Sequence, residues 1–222
     1  MSPAPHGHTL WHKRWDEGKI GFHRETVNAH LQTHADALLE GARRILVPLC
    51  GKSVDMPWLA ERGVEVVGVE LVDRAVREFW SMLDVTPEED AFHAFVRTSS
   101  GPITMLQGDI FQTQLTHIGT VDAIYDRAAI IAIPPDQQQR YVDHLLRLLR
   151  PGGRMLLVTL DMPRPLTQGP PFSVPPERVL ALFSAAAEVR SMETEMLTPE
   201  TESKLASWGV AWAREGVWWI TR

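Results

Sequence analysis

Glu70 is the residue whose position most directly indicates chemistry in this sequence. It ends the apolar run Val64–Val69, about 20 residues after Gly51. Gly51 itself follows a shorter apolar run, Ile45–Leu49. A carboxylate at that distance from a glycine turn is where nucleotide-binding α/β folds hold ribose hydroxyls. The alternative is a structural strand–helix–strand unit that leaves Glu70 on the surface.

The turn that contains Gly51 lacks the glycine-rich loop of a dinucleotide site. Pro48, Leu49 and Cys50 precede the glycine, and their side chains would obstruct the close backbone approach that a pyrophosphate needs. A nucleoside ligand without phosphate therefore suits this turn better, and S-adenosylmethionine is the common one. Cys50 could act as a nucleophile, but packing is the stronger interpretation for a small apolar side chain.

Polar residues also follow two later apolar runs. Asp109 comes after Ile103–Leu106, and Asp126 and Arg127 come at the end of Val121–Tyr125. The carboxyl ends of strands line the ligand crevice of an open α/β sheet, so these side chains are candidates for binding or catalysis. Asp109 is equally suited to capping a turn or helix, and Arg127 to pairing with a carboxylate.

Six histidines lie within the first 34 residues. None has cysteine or carboxylate partners in a recognised metal-ligand pattern. His30 and His34 are four residues apart and could meet on one helix face. We expect no metal site.

Aromatic residues are concentrated near the N-terminus. Trp11 and Trp15 would share one face of a helix that Gly18 and Gly21 interrupt, and Phe22 would lie in the following loop. These rings could pack against the domain. They could also form a lid over a flat or cationic ligand, because an aromatic face attracts a sulfonium or ammonium group. Residues 1–8, before this segment, are expected to be disordered.

The elements that must position these residues alternate between strand and helix with short connections, which predicts a parallel sheet. Thr86–Ser100 is polar and predicts an irregular insertion, and Asp73 is a candidate helix N-cap. The expected helices are Val27–Leu39, Ser53–Arg62, Arg74–Leu83, Gln137–Leu149 and Glu177–Ala186. The expected strands are Ile45–Leu49, Val64–Val69, Ile103–Leu106, Val121–Tyr125, Arg154–Leu160 and a final hairpin of Val189–Met196 with Gly216–Thr221.

Composition limits the classes of partner. The formal net charge of −6 argues against a nucleic-acid backbone, which requires clustered Lys and Arg. No window approaches 18 uninterrupted apolar residues, so we expect no membrane partner. The single cysteine fits a reducing cytoplasm. No long exposed apolar helix face is evident, and we expect a monomer.

The chain resembles the thiopurine S-methyltransferase family, of bacterial type, from Leu10 onward. The matching segments occur in the family's order. They are W-H-K-R-W-D-E-G-K-I-G-F-H, P-L-C-G-K-S-V-D-M, G-V-E-V-V-G-V-E, G-D-I-F, Y-D-R-A-A-I-I-A-I, G-P-P-F-S-V-P and S-W-G-V.

The resemblance implies the class I methyltransferase fold. That fold is a doubly wound, Rossmann-like α/β domain with a mostly parallel seven-stranded sheet and a C-terminal antiparallel hairpin. A single domain would cover 9–222. Within it, 9–40 would form the N-terminal lid and helices, 41–160 the cofactor-binding core, and 161–222 the substrate-side loop and hairpin.

The resemblance also implies roles for individual residues around S-adenosyl-L-methionine. Glu70 would accept hydrogen bonds from the ribose, and Asp109 and Ile110 would flank the adenine. Arg127 would lie where the cofactor's carboxylate end meets the acceptor. From the chemistry of methyl transfer we add the hypothesis that Arg127 is the catalytic residue, which stabilises a thiolate together with Lys204. The remaining cofactor contacts would come from Trp11, Leu49 and Gly51.

The acceptor pocket would be bounded by Phe22, Arg127 and the loop that contains Phe172. Animal members of the family carry an arginine ahead of S-W-G, where this chain has Lys204. A lysine offers a point charge in place of a planar fork, so acceptor preference is expected to differ.

The implied activity is methyl transfer from S-adenosylmethionine to aromatic or heterocyclic thiols. Two alternatives stay open. The acceptor could be a selenium or tellurium species in metalloid detoxification, because bacterial relatives are linked to that chemistry. The chain could also be a nucleoside-binding domain without turnover, against which the set of Glu70, Asp126 and Arg127 argues. A dinucleotide oxidoreductase is weaker for want of the glycine loop.

Overall fold

The computed structural model of the protein describes residues 6–165 and 167–222. We predicted that residues 1–8 are disordered, and residues 1–5 of that range lie outside the described residues. At 6–8 the structure differs from that prediction, because helix α1 begins at His6.

The helices are α1 His6–Asp16, α2 Ala29–Leu39, α3 Asp55–Ala60, α4 Asp73–Met82, α5 Leu115–Ile118, α6 Gln138–Leu148, α7 Pro176–Leu182 and α8 Lys204–Trp208. The strands are β1 Arg44–Pro48, β2 Glu65–Glu70, β3 Glu88–Phe92, β4 Phe95–Ser100, β5 Ile103–Gln107, β6 Val121–Arg127, β7 Leu149–Asp161, β8 Glu188–Leu197 and β9 Ala213–Thr221. No described helix is long and apolar enough to cross a membrane.

The chain divides into two compact units. The first contains the residues up to Gln32 together with Arg43–Gly119, and the second contains Thr33–Ala42 together with Thr120–Arg222. The expectation of a single domain over 9–222 stays a prediction.

Strands of the first unit follow the order β3-β4-β5-β2-β1. β1, β2 and β5 are parallel to one another, and β4 and β3 extend them in antiparallel fashion. The parallel strands are built from β-branched and leucine side chains that are fully buried, such as Ile45, Leu46 and Val66. That composition suits strands covered on both faces. Glu70 and Gln107 are paired in register, so the two side chains stand at the same edge.

The expectation of an irregular insertion over Thr86–Ser100 was wrong, because this segment forms the β3–β4 hairpin. β3 is an edge strand, and four of its five residues are exposed. A solvated edge strand tolerates a polar sequence, so the run Glu88–Phe92 carries no buried pattern. Arg97 on β4 holds the pair together by hydrogen bonding to Asp90 at 2.8 and 2.6 Å.

Asp73 is the first residue of α4 and not its N-cap. Val72 occupies the cap position in an extended conformation, and no side chain caps the helix. The Asp73 carboxylate instead accepts hydrogen bonds from Arg77, one turn further on, at 2.5 Å. An acidic residue in the first turn also favours the helix through its macrodipole.

Strands of the second unit follow the order β6-β7-β9-β8. β6 and β7 are parallel, whereas β9 runs antiparallel to both β7 and β8. The predicted C-terminal hairpin is therefore confirmed, with the short helix α8 in its connection. Residues 6–165 and 167–222 contain nine strands. The expected number of seven was wrong because the prediction did not include β3 and β4.

Candidate active site

Glu70 lies buried at the end of β2, and the suggestion that it stands on the surface is wrong. One carboxylate oxygen accepts the backbone N–H of Gly51 and the other accepts that of Val72, both at 2.8 Å. Burial raises the pKa of the Glu70 carboxyl, and the N–H groups of Val72 and Gly51 oppose that rise. Two ionised oxygens offer about four acceptor positions, so the carboxylate keeps capacity for further donors.

The turn after β1 has an unusual backbone. Leu49 and Gly51 have φ of +49° and +55°, a region that costs an ordinary side chain energy. Cys50 lies between them, buried, and its side chain occupies the space beside Gly68 of β2. A Cβ on Gly68 would lie 2.8 Å from the Cys50 sulfur. Burial, and then the charge of Glu70, raise the pKa of the thiol well above its usual range, which favours packing over nucleophilic chemistry.

An aromatic cluster covers this turn. Phe22 packs edge-on against Trp11 and Trp15, with ring centroids 5.8 and 5.9 Å apart. Trp15 is buried against Val72, and its ring would lie 3.3 Å from a Cβ on Gly51. The N-terminal segment thus contacts both the glycine turn and the residues after Glu70. Trp15 is a core residue, whereas Trp11 and Phe22 keep partly exposed faces.

Asp109 follows β5 at the same edge of the first unit. Its carboxylate accepts the N–H of Phe111 at 2.9 Å and so caps a short 3-10 turn, Ile110–Gln112, in which Ile110 is buried. The other oxygen lies 3.4 Å from the His8 ring nitrogen of α1. The N–H of Gly108, just before, donates to the Glu70 carbonyl oxygen at 2.8 Å. The capping role considered for Asp109 is confirmed, and its side chain stays partly accessible.

Asp126 and Arg127 form the end of β6 in the second unit. Asp126 is buried and accepts hydrogen bonds from the Ile130 N–H at 3.0 Å and the Tyr141 hydroxyl at 2.8 Å. Burial raises its pKa to about 6 against the opposing effect of those donors. Ala128, after Arg127, has φ of +62°, so Asp126 fixes a strained turn beside the arginine.

The loop between β7 and α7 contains Pro170, Pro171 and Phe172 and is called the Pro-Pro-Phe loop below. It is anchored to the segment that follows Arg127. The N–H of Phe172 donates to the carbonyl of Ile131 at 2.6 Å, and the Phe172 ring is buried. This bond ties Phe172 to a residue four positions beyond Arg127 in the same unit. Lys204 begins α8, and its backbone N–H lies 3.3 Å from the Glu202 carboxylate.

Four histidines of the described part of the chain contact partners within their own compact unit. His34 pairs with Glu193 at 2.6 Å and His8 pairs with Asp109. His93 and His117 stack with ring centroids 4.6 Å apart. These contacts place His8 and His34 beside carboxylates, and His93 and His117 in ring packing.

A family model described as thiopurine S-methyltransferase matches residues 6–222. The thiopurine S-methyltransferase of Pseudomonas aeruginosa (strain UCBPP-PA14) is 41% identical over 214 residues, which cover 96% of this chain and 98% of that protein. The corresponding enzyme of Legionella pneumophila (strain Paris) is 37% identical over 217 residues, 97% and 98% of the two chains. The chain belongs to the thiopurine S-methyltransferase family.

Solved structures agree on the fold. A Burkholderia thailandensis 1,6-didemethyltoxoflavin-N1-methyltransferase, solved with bound 1,6-didemethyltoxoflavin and S-adenosylhomocysteine, has a TM-score of 0.63 and 15% identity. That alignment covers 100% of this chain and 92% of the other. The fold is therefore the Rossmann-like α/β fold of class I methyltransferases. As a member of this family, the protein is an S-adenosyl-L-methionine-dependent methyltransferase.

The residues of the first unit fit that methyl donor. The buried Glu70 carboxylate retains acceptor capacity for ribose hydroxyls, and the absence of a side chain at Gly51 lets the rings of Trp15 and Phe22 approach the turn closely. Asp109 stands at the neighbouring strand end, where an adenine would be flanked. We retain the implied roles of Trp11, Leu49 and Ile110 as proposals, since their positions border the same turn and strand end.

Three features of the structure were missed by the sequence analysis: two contacts between distant residues and the position of one arginine. The pairing of His8 with Asp109 joins residues about a hundred positions apart, and no local pattern marks it. The contact between Trp15 and Gly51 was equally invisible, although the four-residue spacing from Trp11 did indicate a shared helix face. Arg164, in the Pro-Pro-Phe loop, had no motif to mark it.

Proposed function

We propose that this protein transfers the methyl group of S-adenosyl-L-methionine to the sulfur of aromatic or heterocyclic thiols, thiopurines included. The observation that carries the proposal is the buried Glu70 carboxylate, held by Gly51 and Val72 in a chain that the family model matches from 6 to 222. The named activity of the relatives supports the choice of a sulfur acceptor.

S-adenosyl-L-methionine supplies, when bound, a methyl group that its sulfonium has already activated. The protein's task is to align the acceptor sulfur with that methyl and to exclude water. Glu70 would fix the ribose, and the accessible faces of Trp11 and Phe22, which pack together and, through Phe22, against Trp15, would shield a cationic group. A dedicated base is not required, because an aromatic thiol is partly ionised near neutral pH.

Arg127 is the residue that we assign to the acceptor. Its guanidinium would stabilise the thiolate electrostatically, which favours the reactive form of the sulfur. Asp126 supports this role through its bonds to Ile130 and Tyr141, which hold the turn after β6. We further assign Phe172 and Lys204 to acceptor binding in the second unit, and retain Phe22 as a predicted acceptor contact.

Two further properties belong to the proposal. We infer a cytoplasmic location, which the single cysteine supports, because Cys50 is a free thiol. We also infer a monomer. The exposed large apolar side chains in the described part of the chain, among them Leu115, Leu180 and Met196, belong to separate elements. Light scattering at several concentrations tests the second inference.

Calorimetric titration with S-adenosylmethionine, S-adenosylhomocysteine and NADH, followed by methyl transfer to thiophenol and 6-mercaptopurine, tests the function. We expect both adenosyl compounds to bind, NADH not to bind, and both thiols to be methylated. Glu70→Gln should weaken adenosyl binding about tenfold or more, while Glu65→Gln, on an exposed residue of the same strand, should leave it unchanged. If the adenosyl compounds bind but no thiol is methylated, the proposed thiol acceptor would be contradicted. Selenite and tellurite would then be tested as acceptors.

A further inference from the structure

Arg164 is a partly buried cation in the loop that follows β7. Its Nη2 group donates a hydrogen bond to the carbonyl oxygen of Pro171. Its Nε–H is buried and has no hydrogen-bond partner among the described residues. Burial lowers the pKa of this guanidinium, which reflects the cost of removing a positive charge from water.

Other arginines of the second unit are paired with carboxylates, although Arg154 and Arg214 each also leave a buried Nε–H without a partner among the described residues. Arg214 pairs with Asp161, Arg150 with Asp122 at 2.6 Å, and Arg154 with Glu40 at 3.3 Å. Arg164 has no carboxylate within 4 Å in the described part of the chain, 6–165 and 167–222. A desolvated cation with an unused donor is costly unless another group supplies negative charge.

The position of Arg164 points to the acceptor as that group. Pro171, which its guanidinium contacts, precedes Phe172, and the Phe172 N–H is bonded to Ile131, four residues after Arg127. The base of the loop is fixed as well, because the Met162 N–H donates to the Ser173 hydroxyl at 2.9 Å. Arg164 thus lies on the same loop as Phe172, which is assigned to the acceptor, and is bonded to the residue before it.

We infer that Arg164 determines acceptor specificity by binding an anionic substituent, such as a carboxylate, on an aromatic or heterocyclic thiol. The inference rests on the proposed function, since it assigns a residue to the acceptor of that reaction. The planar fork of an arginine suits a carboxylate, which can accept both the Nε–H and an Nη–H. Arg127 would face the reacting sulfur, and Arg164 would bind the distal charge.

The test compares kcat/KM for the three mercaptobenzoate isomers with kcat/KM for thiophenol, which has no second charge. In Arg164→Gln we expect the preferred isomer to lose about tenfold or more relative to thiophenol, mainly through KM. Arg164→Lys should restore part of the preference, since it keeps the charge. Arg190→Gln, which removes an exposed arginine of β8 paired with Glu188, is the matched control and should change neither ratio.

An equal loss on thiophenol and on every mercaptobenzoate in Arg164→Gln would overturn the inference, because the residue would then only hold the loop. Benzoate binding to the protein saturated with S-adenosylhomocysteine gives a second readout that needs no turnover. If the wild type methylates no thiol, the proposed function fails. In that case, weaker benzoate binding to Arg164→Gln would still support an anion site, and unchanged binding would overturn it.

Discussion

The carboxylate of Glu70 and the backbone N–H of Gly51 are joined by a 2.8 Å hydrogen bond that ties the end of β2 to the turn after β1. The second oxygen holds Val72 at the same distance. One side chain therefore fixes two loops at the edge of the first unit, and the aromatic cluster rests on both of them. Changes at Glu70 or Gly51 should affect stability and donor binding together.

Glu70→Gln should destabilise the protein and weaken donor binding. A glutamine amide nitrogen cannot accept a hydrogen bond, so one buried N–H loses its partner at a cost of about 1–3 kcal/mol. The affinity for S-adenosylhomocysteine should fall about tenfold or more, which corresponds to ~1.4 kcal/mol. Urea denaturation and calorimetry measure the two effects. Unchanged affinity would remove Glu70 from the donor site.

Gly51→Ala should impair donor binding through the aromatic cluster. The methyl group would meet the Trp15 ring at 3.3 Å, and φ of +55° adds strain of about 1–2 kcal/mol. Gly63→Ala is the control, because Gly63 has φ of +83° and open space around it. Both variants should unfold at lower urea concentration, but only Gly51→Ala should change tryptophan fluorescence and donor affinity. Equal donor affinity in the two variants would contradict the proposal.

Arg127→Ala should affect the acceptor more than the donor. Loss of the cation should raise the thiol KM or lower kcat by about tenfold or more. The affinity for S-adenosylhomocysteine should change much less. Steady-state kinetics with varied thiol, together with calorimetry, separate the two quantities. Parallel losses in both would count against an acceptor role.

Asp126 should make stability decline as pH rises. Its pKa of about 6 in the folded protein exceeds the 3.8 of a free side chain, so the native state holds the proton more tightly. Stability is then greatest below pH 4 for this group and is lost as pH rises to about 6, by at most ~3 kcal/mol.

Asp126→Asn removes this titration and keeps a similar shape. Relative to the wild type, the variant should gain stability between pH 4 and pH 7, as measured by urea denaturation at each pH. A constant difference across that range would show that Asp126 does not titrate there. The amide oxygen can still accept the Ile130 N–H, and the amide NH2 group can donate to the Tyr141 hydroxyl oxygen in place of the original bond.

Cys50→Ala should reduce stability and leave turnover intact. The thiol is buried beside Gly68 and has a raised pKa, so it acts as a small apolar group. We expect a loss of about 1 kcal/mol, typical of a core truncation. Methyl-transfer assays at saturating donor should show an unchanged kcat. Loss of turnover in a folded variant would revive a covalent role.

Runs of apolar residues in the sequence correctly predicted the strands that are buried on both faces. β1, β2 and β6 appeared as apolar runs because residues such as Ile45, Val66 and Ile124 meet core side chains on either side. The pattern failed for β3, where solvent covers the edge and the sequence carries no burial signal. It also misassigned the start of α4, where cap geometry depends on one backbone dihedral at Val72.

The sequence by itself determined the family, the alternation of strand and helix, and the carboxylate at the end of β2. These follow from the short-range spacing of apolar and polar residues and from motifs that occur in the family's order along the chain. Only the tertiary structure decided that Glu70 binds two backbone N–H groups, that Trp15 covers Gly51, and that Arg164 donates to the carbonyl oxygen of Pro171. The physical reason is that burial and hydrogen-bond partners depend on distant segments meeting in the folded chain, and a one-dimensional pattern does not encode those distances.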